Sequence, residues 1–207
     1  MKILICAATP MELRTVEHSS HEIQYLVTGV GMSQTSYRLG KYLANNRPDF
    51  AIQIGIAGSY QIQMPIGRVL LIRQDCFADL GARDANHTFL HLSEMLPSRD
   101  PNPFEQQVIK PNFERAWLEW PWANAITVNS VRGSQSEIKE TELRFRPDLE
   151  SMEGASFYAI CMTEKIQCIQ MRAISNLVEP RNKKNWNIPL AIKNLHASLD
   201  QLITSIG

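Results

Sequence analysis

The sequence lacks a charge bias, a cysteine pair, a long apolar run and a dinucleotide fingerprint. Its 21 basic and 21 acidic residues cancel over 207 positions, so nothing electrostatic points to nucleic acid or to an anionic membrane as a partner. The four cysteines, Cys6, Cys76, Cys161 and Cys168, are scattered without a CxxC pair. Free buried thiols in a reducing, cytoplasmic setting are the simplest account. The five histidines show no metal-ligand spacing; His87 and His91 stand four apart without a third ligand, so no metal is expected. No apolar stretch reaches the length of a membrane span, and the run in MKILICAATP is too short for a secretory signal. Gly29-Val30-Gly31 precedes a helical pattern but has no third glycine, which excludes a nicotinamide cofactor. No cofactor is expected.

What is present reads as alternating strands and helices over one domain, residues 1–207, with hydrophobic residues at 44%. Lys2 to Ala8 is a buried strand. Thr9-Pro10 suits the start of a helix from Met11 to about His18, with Glu12 in its first turn. Ile23 to Val27 is a strand. An amphipathic helix follows from Met32 to Asn45, then a strand from Phe50 to Ile54 that ends in the loop Gly55-Ile56-Ala57-Gly58-Ser59. Gly67 to Phe77 reads as a long strand, with Asp79, Arg83 and Asp84 crowding its exit. SRDPNPFEQQ is a loop, and a short helix covers Asn112 to Glu119. Ala123 to Val131 is a strand and Ser136 to Leu143 a helix capped by Ser134 or Ser136. The chain closes with a helix from Pro189 to Ile206, whose inner stripe includes Leu190, Leu195, Leu199 and Leu202.

The organising stretch is Leu149 to Val178, LESMEGASFYAICMTEKIQCIQMRAISNLV, read as strand, helix, strand. Glu153 stands where the first strand yields to the helix, and Asn176 just past the second strand. In a parallel sheet both lie at the carboxyl edge, where open α/β folds bind ligands. The helix N-terminus would hold Glu153 ionised as an acceptor. By position alone, Glu12 and Glu153 are equally first-turn acids placed for helix stability, and Asn176 a plain turn-former.

MEGASFYAIC followed by RAISN resembles the signature of the nucleoside phosphorylase and nucleosidase superfamily. The longer string RAISNLVEPRNKKNWNIPLAIKNL is similar to its futalosine hydrolase branch. The resemblance implies a three-layer α/β/α sandwich with a central mixed twisted sheet, assembled as a homo-oligomer, a dimer or higher. It also implies a nucleoside substrate and cleavage of an N-glycosidic bond. Carried onto this chain, it assigns Glu153 to the ribose hydroxyls with Met152 packing on the sugar. Glu12 would orient the attacking water and Arg172 would hold that carboxylate. Ile56, Ala57 and Gly58 would lie under the ribose, and Ser130 and Val131 would line the base pocket. Phosphate-using relatives carry arginine and serine where this chain has Gln53 and Ile56. Without that arginine fork, water becomes the expected nucleophile; Arg68 or Arg73 could replace it only from a strand. Adenine-specific relatives have aspartate where this chain has Asn176. Asparagine cannot protonate N7, but it can accept from N7–H and donate to a carbonyl O6, which favours a 6-oxopurine. For the carboxylate at the far end of futalosine the candidate cations are Arg83, Arg181, Lys183 and Lys184, with Trp186 offering apolar surface. The family's usual aromatic near the base is missing, so base stacking would come from elsewhere.

Overall fold

The computed structural model describes residues 1–16, 20–86, 88–96, 98–111, 119–180 and 182–206. The helix expected over Asn112–Glu119 therefore lies almost wholly outside the described residues, as does Arg181. Strands β1 (Lys2–Ala7), β2 (Glu22–Val27), β3 (Phe50–Ser59), β4 (Val69–Gln74), β7 (Trp122–Thr127), β8 (Leu149–Ser151) and β9 (Gln167–Leu177) form one mixed sheet in the order β2-β1-β3-β8-β7-β4-β9. A two-stranded ribbon, β5 (Gly81–Arg83) with β6 (Phe89–His91), stands apart and leads into a single helical turn, α2 (Leu92–Met95). The other helices are α1 (Met32–Leu43), α3 (Gln135–Phe145), α4 (Gly154–Thr163) and α5 (Ile188–Ser205).

Period-two alternation sorts the core into two layers. From β1, Leu4 and Cys6 join α1 and α4 on one face, while Ile3, Ile5 and Ala7 join α5 on the other. Helix α4 is buried from Gly154 through Cys161, wedged between the sheet and α1, which explains why its sequence shows apolar residues on every side. Helix α5 buries Ala191, Leu195, Leu199, Leu202 and Ile203, whereas Leu190 is on its exposed side. Ser134 caps α3 through a reciprocal box with Glu137.

The sheet is not open. Because β3 pairs with β9 as well as β8, strands β3, β8, β7, β4 and β9 close into a ring. Strand β3 is the hub. Its β9 edge is paired along the whole strand, from Phe50↔Gln167 to Ser59↔Leu177. Its other edge is shared: β1 takes Phe50 to Gln53 in parallel, and β8 takes Gly58 and Ser59 in antiparallel. Between those partners, Gly55, Ile56 and Ala57 have no strand on that edge. That slot is what the fold prepares for chemistry.

Several elements differ from the sequence reading. Gly55–Ser59 is strand, not loop, because β9 supplies its ladder partners throughout. Strand β4 begins only after Gly67, whose φ of +85° makes a turn. After Pro10 there is a turn rather than a helix. The Glu12 carboxylate folds back to accept the backbone N–H and the hydroxyl of Thr9, at 3.0 and 2.8 Å, and this local bonding stops the helix from propagating. Residues 13–16 continue without regular structure. Finally, β8 runs antiparallel to β3 while β9 runs parallel to it. Glu153 and Asn176 therefore do not share a carboxyl edge of parallel strands; they meet because β8 crosses the end of β3 and delivers Glu153 back to the slot.

Candidate active site

A cavity of about 230 Å³ opens over the slot in β3. Its wall includes Glu12, Ile56, Ala57, Gly58, Val131, Met152, Glu153 and Asn176, eight of the residues expected from sequence. Arg172 stands behind the wall, 1% exposed, and reaches the site through its guanidinium. Ser130 is exposed and stands outside the lining; the chain has left β7 at Thr127, so the turn carries Ser130 outward while Val131 returns to the wall.

The two carboxylates enter from opposite ends of the slot. One oxygen of Glu12 binds the two Thr9 groups, and the other accepts the Ile56 backbone N–H at 3.2 Å, the ladder donor that neither β1 nor β8 can use. Glu153 accepts the Gly31 backbone N–H at 2.9 Å, and its other oxygen lies 3.8 Å from Arg172 Nη1. So the glycine loop before α1 approaches Glu153, and the φ of +91° at Gly31 aims its N–H there. Gly55 makes room between the acids: a Cβ there would fall on the Arg172 guanidinium and 3.3 Å from Glu12 Oε1.

Glu153 occupies the N-cap position of α4, yet its side chain makes no cap bond. Burial pushes its pKa above the ordinary carboxylate value; Arg172 and the Gly31 N–H pull the other way. Desolvation is the largest of these influences.

Arg172 is itself held by a buried chain that sequence reading missed. Its Nε and Nη2 donate to Gln170 Oε1 at 3.3 and 3.2 Å, and Nη2 also donates to Gln53 Oε1. Gln170 Nε2 donates to Asp75 Oδ2 at 3.1 Å, while Asp75 Oδ1 accepts the Thr127 hydroxyl and the Cys76 N–H. Thr127 Oγ1 accepts the Ala155 N–H in the first turn of α4. Burial raises the Asp75 pKa to about 6, against the pull of its donors and of Arg172. Gln53 therefore faces Arg172 and not the cavity. Arg68 and Arg73 are likewise absent from the lining.

Asn176 Nδ2 donates to the Leu177 carbonyl at 2.8 Å, which fixes the amide's orientation because a carbonyl only accepts. Its Oδ1 accepts the Ser175 hydroxyl at 2.7 Å. Each end of the amide keeps one further hydrogen or lone pair for a ligand.

Of the cations considered for a carboxylate, Arg83 pairs with Glu140 at 2.9 Å outside the cavity, and Lys183 and Lys184 lie on an exposed 3-10 turn away from it. Trp186 does reach the wall. Sequence reading missed Glu150 and Arg132, which also line it. For Glu150 there was a signal: a carboxylate inside a short strand whose neighbours are buried. For Arg132 there was none.

No family model matches the chain. It is 27% identical over 187 residues to the futalosine hydrolase of Thermus thermophilus, covering 88% of this chain and 82% of that protein. It is 26% identical to the futalosine hydrolase of Acidothermus cellulolyticus, covering 90% and 77%. The structure of a methylthioadenosine/S-adenosylhomocysteine nucleosidase of Colwellia psychrerythraea, solved in complex with adenine, superposes with a TM-score of 0.80 at 12% identity, covering 99% and 95% of the two chains. The paired motif and these relatives agree: the chain is similar to futalosine hydrolases over most of its length, and it shares the fold of the methylthioadenosine/S-adenosylhomocysteine nucleosidases.

Proposed function

We propose that the protein hydrolyses the N-glycosidic bond of futalosine, releasing hypoxanthine, a step in menaquinone synthesis. One observation carries the reaction type: Glu12 and Glu153 enter one cavity from two ends of a β3 segment that has no strand on one edge, beside a buried arginine. Cleaving such a bond leaves positive charge on the ribosyl carbon and negative charge on the purine, and a catalyst must answer both. Glu153 accepts the ribose hydroxyls and faces the developing positive charge. Glu12 takes the proton of the attacking water as its oxygen bonds to the anomeric carbon. The electron pair of the broken C–N bond goes to the purine. N7 of the departing base takes its proton from solvent water; Asn176 then accepts from that N7–H and donates to O6, and Met152 packs on the sugar. Arg172 pairs with the Glu153 carboxylate and not, as the resemblance implied, with that of Glu12.

Water as nucleophile is supported by Gln53 and Ile56, which stand where phosphate-using relatives carry arginine and serine. Gln53 is fully buried and engaged by Arg172. A nucleosidase acting on methylthioadenosine is the alternative; Asn176 in place of aspartate disfavours it. We further propose one domain spanning residues 1–207, a homo-oligomer and a cytoplasmic location, the last supported by four free, buried cysteines. Among the described residues no helix is long and apolar enough to cross a membrane.

The test is product analysis with purified protein and futalosine in phosphate-free buffer. Hypoxanthine release at an undiminished rate is expected; release that requires phosphate would move the protein to the phosphorylases.

A further inference from the structure

We propose that Glu150 and Arg132 read the N1–H and O6 edge of the leaving purine, and so set the preference for a 6-oxopurine over a 6-aminopurine. This rests on the hydrolase reading above and extends it to two residues that the sequence motif does not include. Gly58 on β3 pairs with Glu150 of β8 on one side and with Asn176 of β9 on the other. With no side chain between them, the cavity runs across the strand from Asn176 to Glu150; a Cβ on Gly58 would sit 2.9 Å from Val178 Cγ2 and 3.2 Å from Asn176 Nδ2. If Asn176 meets N7 and O6, the next groups along the same edge of the base are O6 and N1, and the next side chains along the wall are Glu150 and Arg132.

Their chemistry matches that edge. Glu150 is 5% exposed. One of its oxygens is engaged by the Tyr60 hydroxyl at 2.8 Å. Burial pushes the Glu150 pKa up, while the Tyr60 hydroxyl and Arg132 pull it down; in its ionised form the carboxylate has lone pairs to spare beyond its Tyr60 donor and can only accept. The half-buried Arg132 has an Nε that is shielded from solvent and has no hydrogen-bond partner. It is the only lysine or arginine among the described residues that line the cavity. Hypoxanthine offers N1–H to the carboxylate and O6 to the guanidinium. Adenine in the same pose turns a lone pair toward the carboxylate and amino hydrogens toward the guanidinium, which leaves buried polar groups unpaired on both sides. The guanidinium also lies where negative charge gathers on the departing base, an aid that Asn176 cannot give by protonation.

The experiment compares futalosine with its 6-amino analogue on the natural protein, Glu150→Gln and Arg132→Met, each checked for an unchanged circular dichroism spectrum. Glutamine can donate to N1 of a 6-aminopurine, so Glu150→Gln should move the ratio of kcat/KM toward the 6-amino substrate by at least about tenfold. Arg132→Met should lose about 10²-fold on futalosine and much less on the analogue. An unchanged ratio in both folded variants overturns the proposal. The natural protein supplies a second reading that needs no variant: inhibition by hypoxanthine against 1-methylhypoxanthine. Methylation should weaken binding about tenfold or more; equal binding overturns the proposal. If the natural protein binds both bases with that difference but does not cleave futalosine, the hydrolase reading fails while the base-edge assignment stands.

Discussion

At the scale of single residues, the site is a set of acids whose charge is managed by buried partners. Asn176→Asp should lose most hydrolysis of futalosine, because an ionised aspartate sets an acceptor against O6, whereas Glu153→Ala should abolish it; steady-state rates on futalosine check both. Asp75 is absent from the cavity lining and reaches the site only through Gln170 and Arg172, which makes positioning its expected role. In Asp75→Asn the amide nitrogen either faces the Cys76 N–H or, once Gln170 turns over, sets the Gln170 nitrogen against Arg172, so one buried donor always faces another and the chain that aligns the guanidinium is disturbed. A fall in kcat of about 10²-fold with KM nearly unchanged is expected. The same residue gives a pH signature. A carboxyl whose pKa rises from the ordinary 3.8 to about 6 on folding binds protons more tightly in the folded state. The stability it contributes is present below about 4 and is lost as pH rises to about 6, on the order of 3 kcal/mol. The stability difference between the natural protein and Asp75→Asn, followed by urea unfolding, should therefore shift toward the variant between pH 4 and pH 7. Glu153 and Asn176 were picked out by a recognisable string and Glu12 by its place after the first strand, and the three line one cavity. Asp75, Gln170 and Glu150 were not legible in the sequence, because what matters about them is burial and a partner up to 95 positions away.

Among the elements, β3 decides the geometry, and it is where local reading failed. Gly55-Ile56-Ala57-Gly58-Ser59 looks like a glycine-rich loop, but β9 pairs with all of it. Pairing outweighed the weak strand propensity of glycine. The two glycines serve close approach instead: Gly55 to the Arg172 guanidinium, Gly58 to Asn176. The turn at Pro10–Glu12 misled for a related reason, since a side-chain acceptor with a remote donor, Ile56 N–H, replaced the helix that the capping pattern suggested. By contrast β1, β2, α1, α3, α4 and α5 are marked locally, by a short apolar run, an amphipathic stripe or a cap, and their positions matched within a few residues. Gly154, the first residue of α4, is as constrained as Gly55. A Cβ there would fall on Asp75 Oδ2 and Gln170 Oε1, side chains held on all sides. Gly154→Ala should therefore lower stability by about 1–3 kcal/mol and activity with it, against the gain of about 1 kcal/mol that alanine brings to an ordinary helix position. Thermal unfolding read alongside kcat checks this.

For the molecule as a whole, a sheet that closes into a ring while keeping β1 and β2 as an open wing leaves one strand edge with two partners and a gap between them. Everything assigned to the reaction gathers at that gap: Glu12 from the turn after β1, Glu153 from the end of β8, Asn176 from β9, Arg172 from beneath. The mixed sheet and its flanking helices followed from alternation and from the family string. The ring did not, because it depends on β3 pairing with three strands at once, which no local pattern records. The central claim is that this gap serves water and a 6-oxopurine. The most direct measurement is the ratio of kcat/KM for futalosine to that for methylthioadenosine, in phosphate-free buffer, with the products identified. A ratio far above one, with hypoxanthine as the released base, is the expected result. A ratio below one, with adenine released, would contradict the reading of Asn176 and place the protein with the adenine-specific nucleosidases.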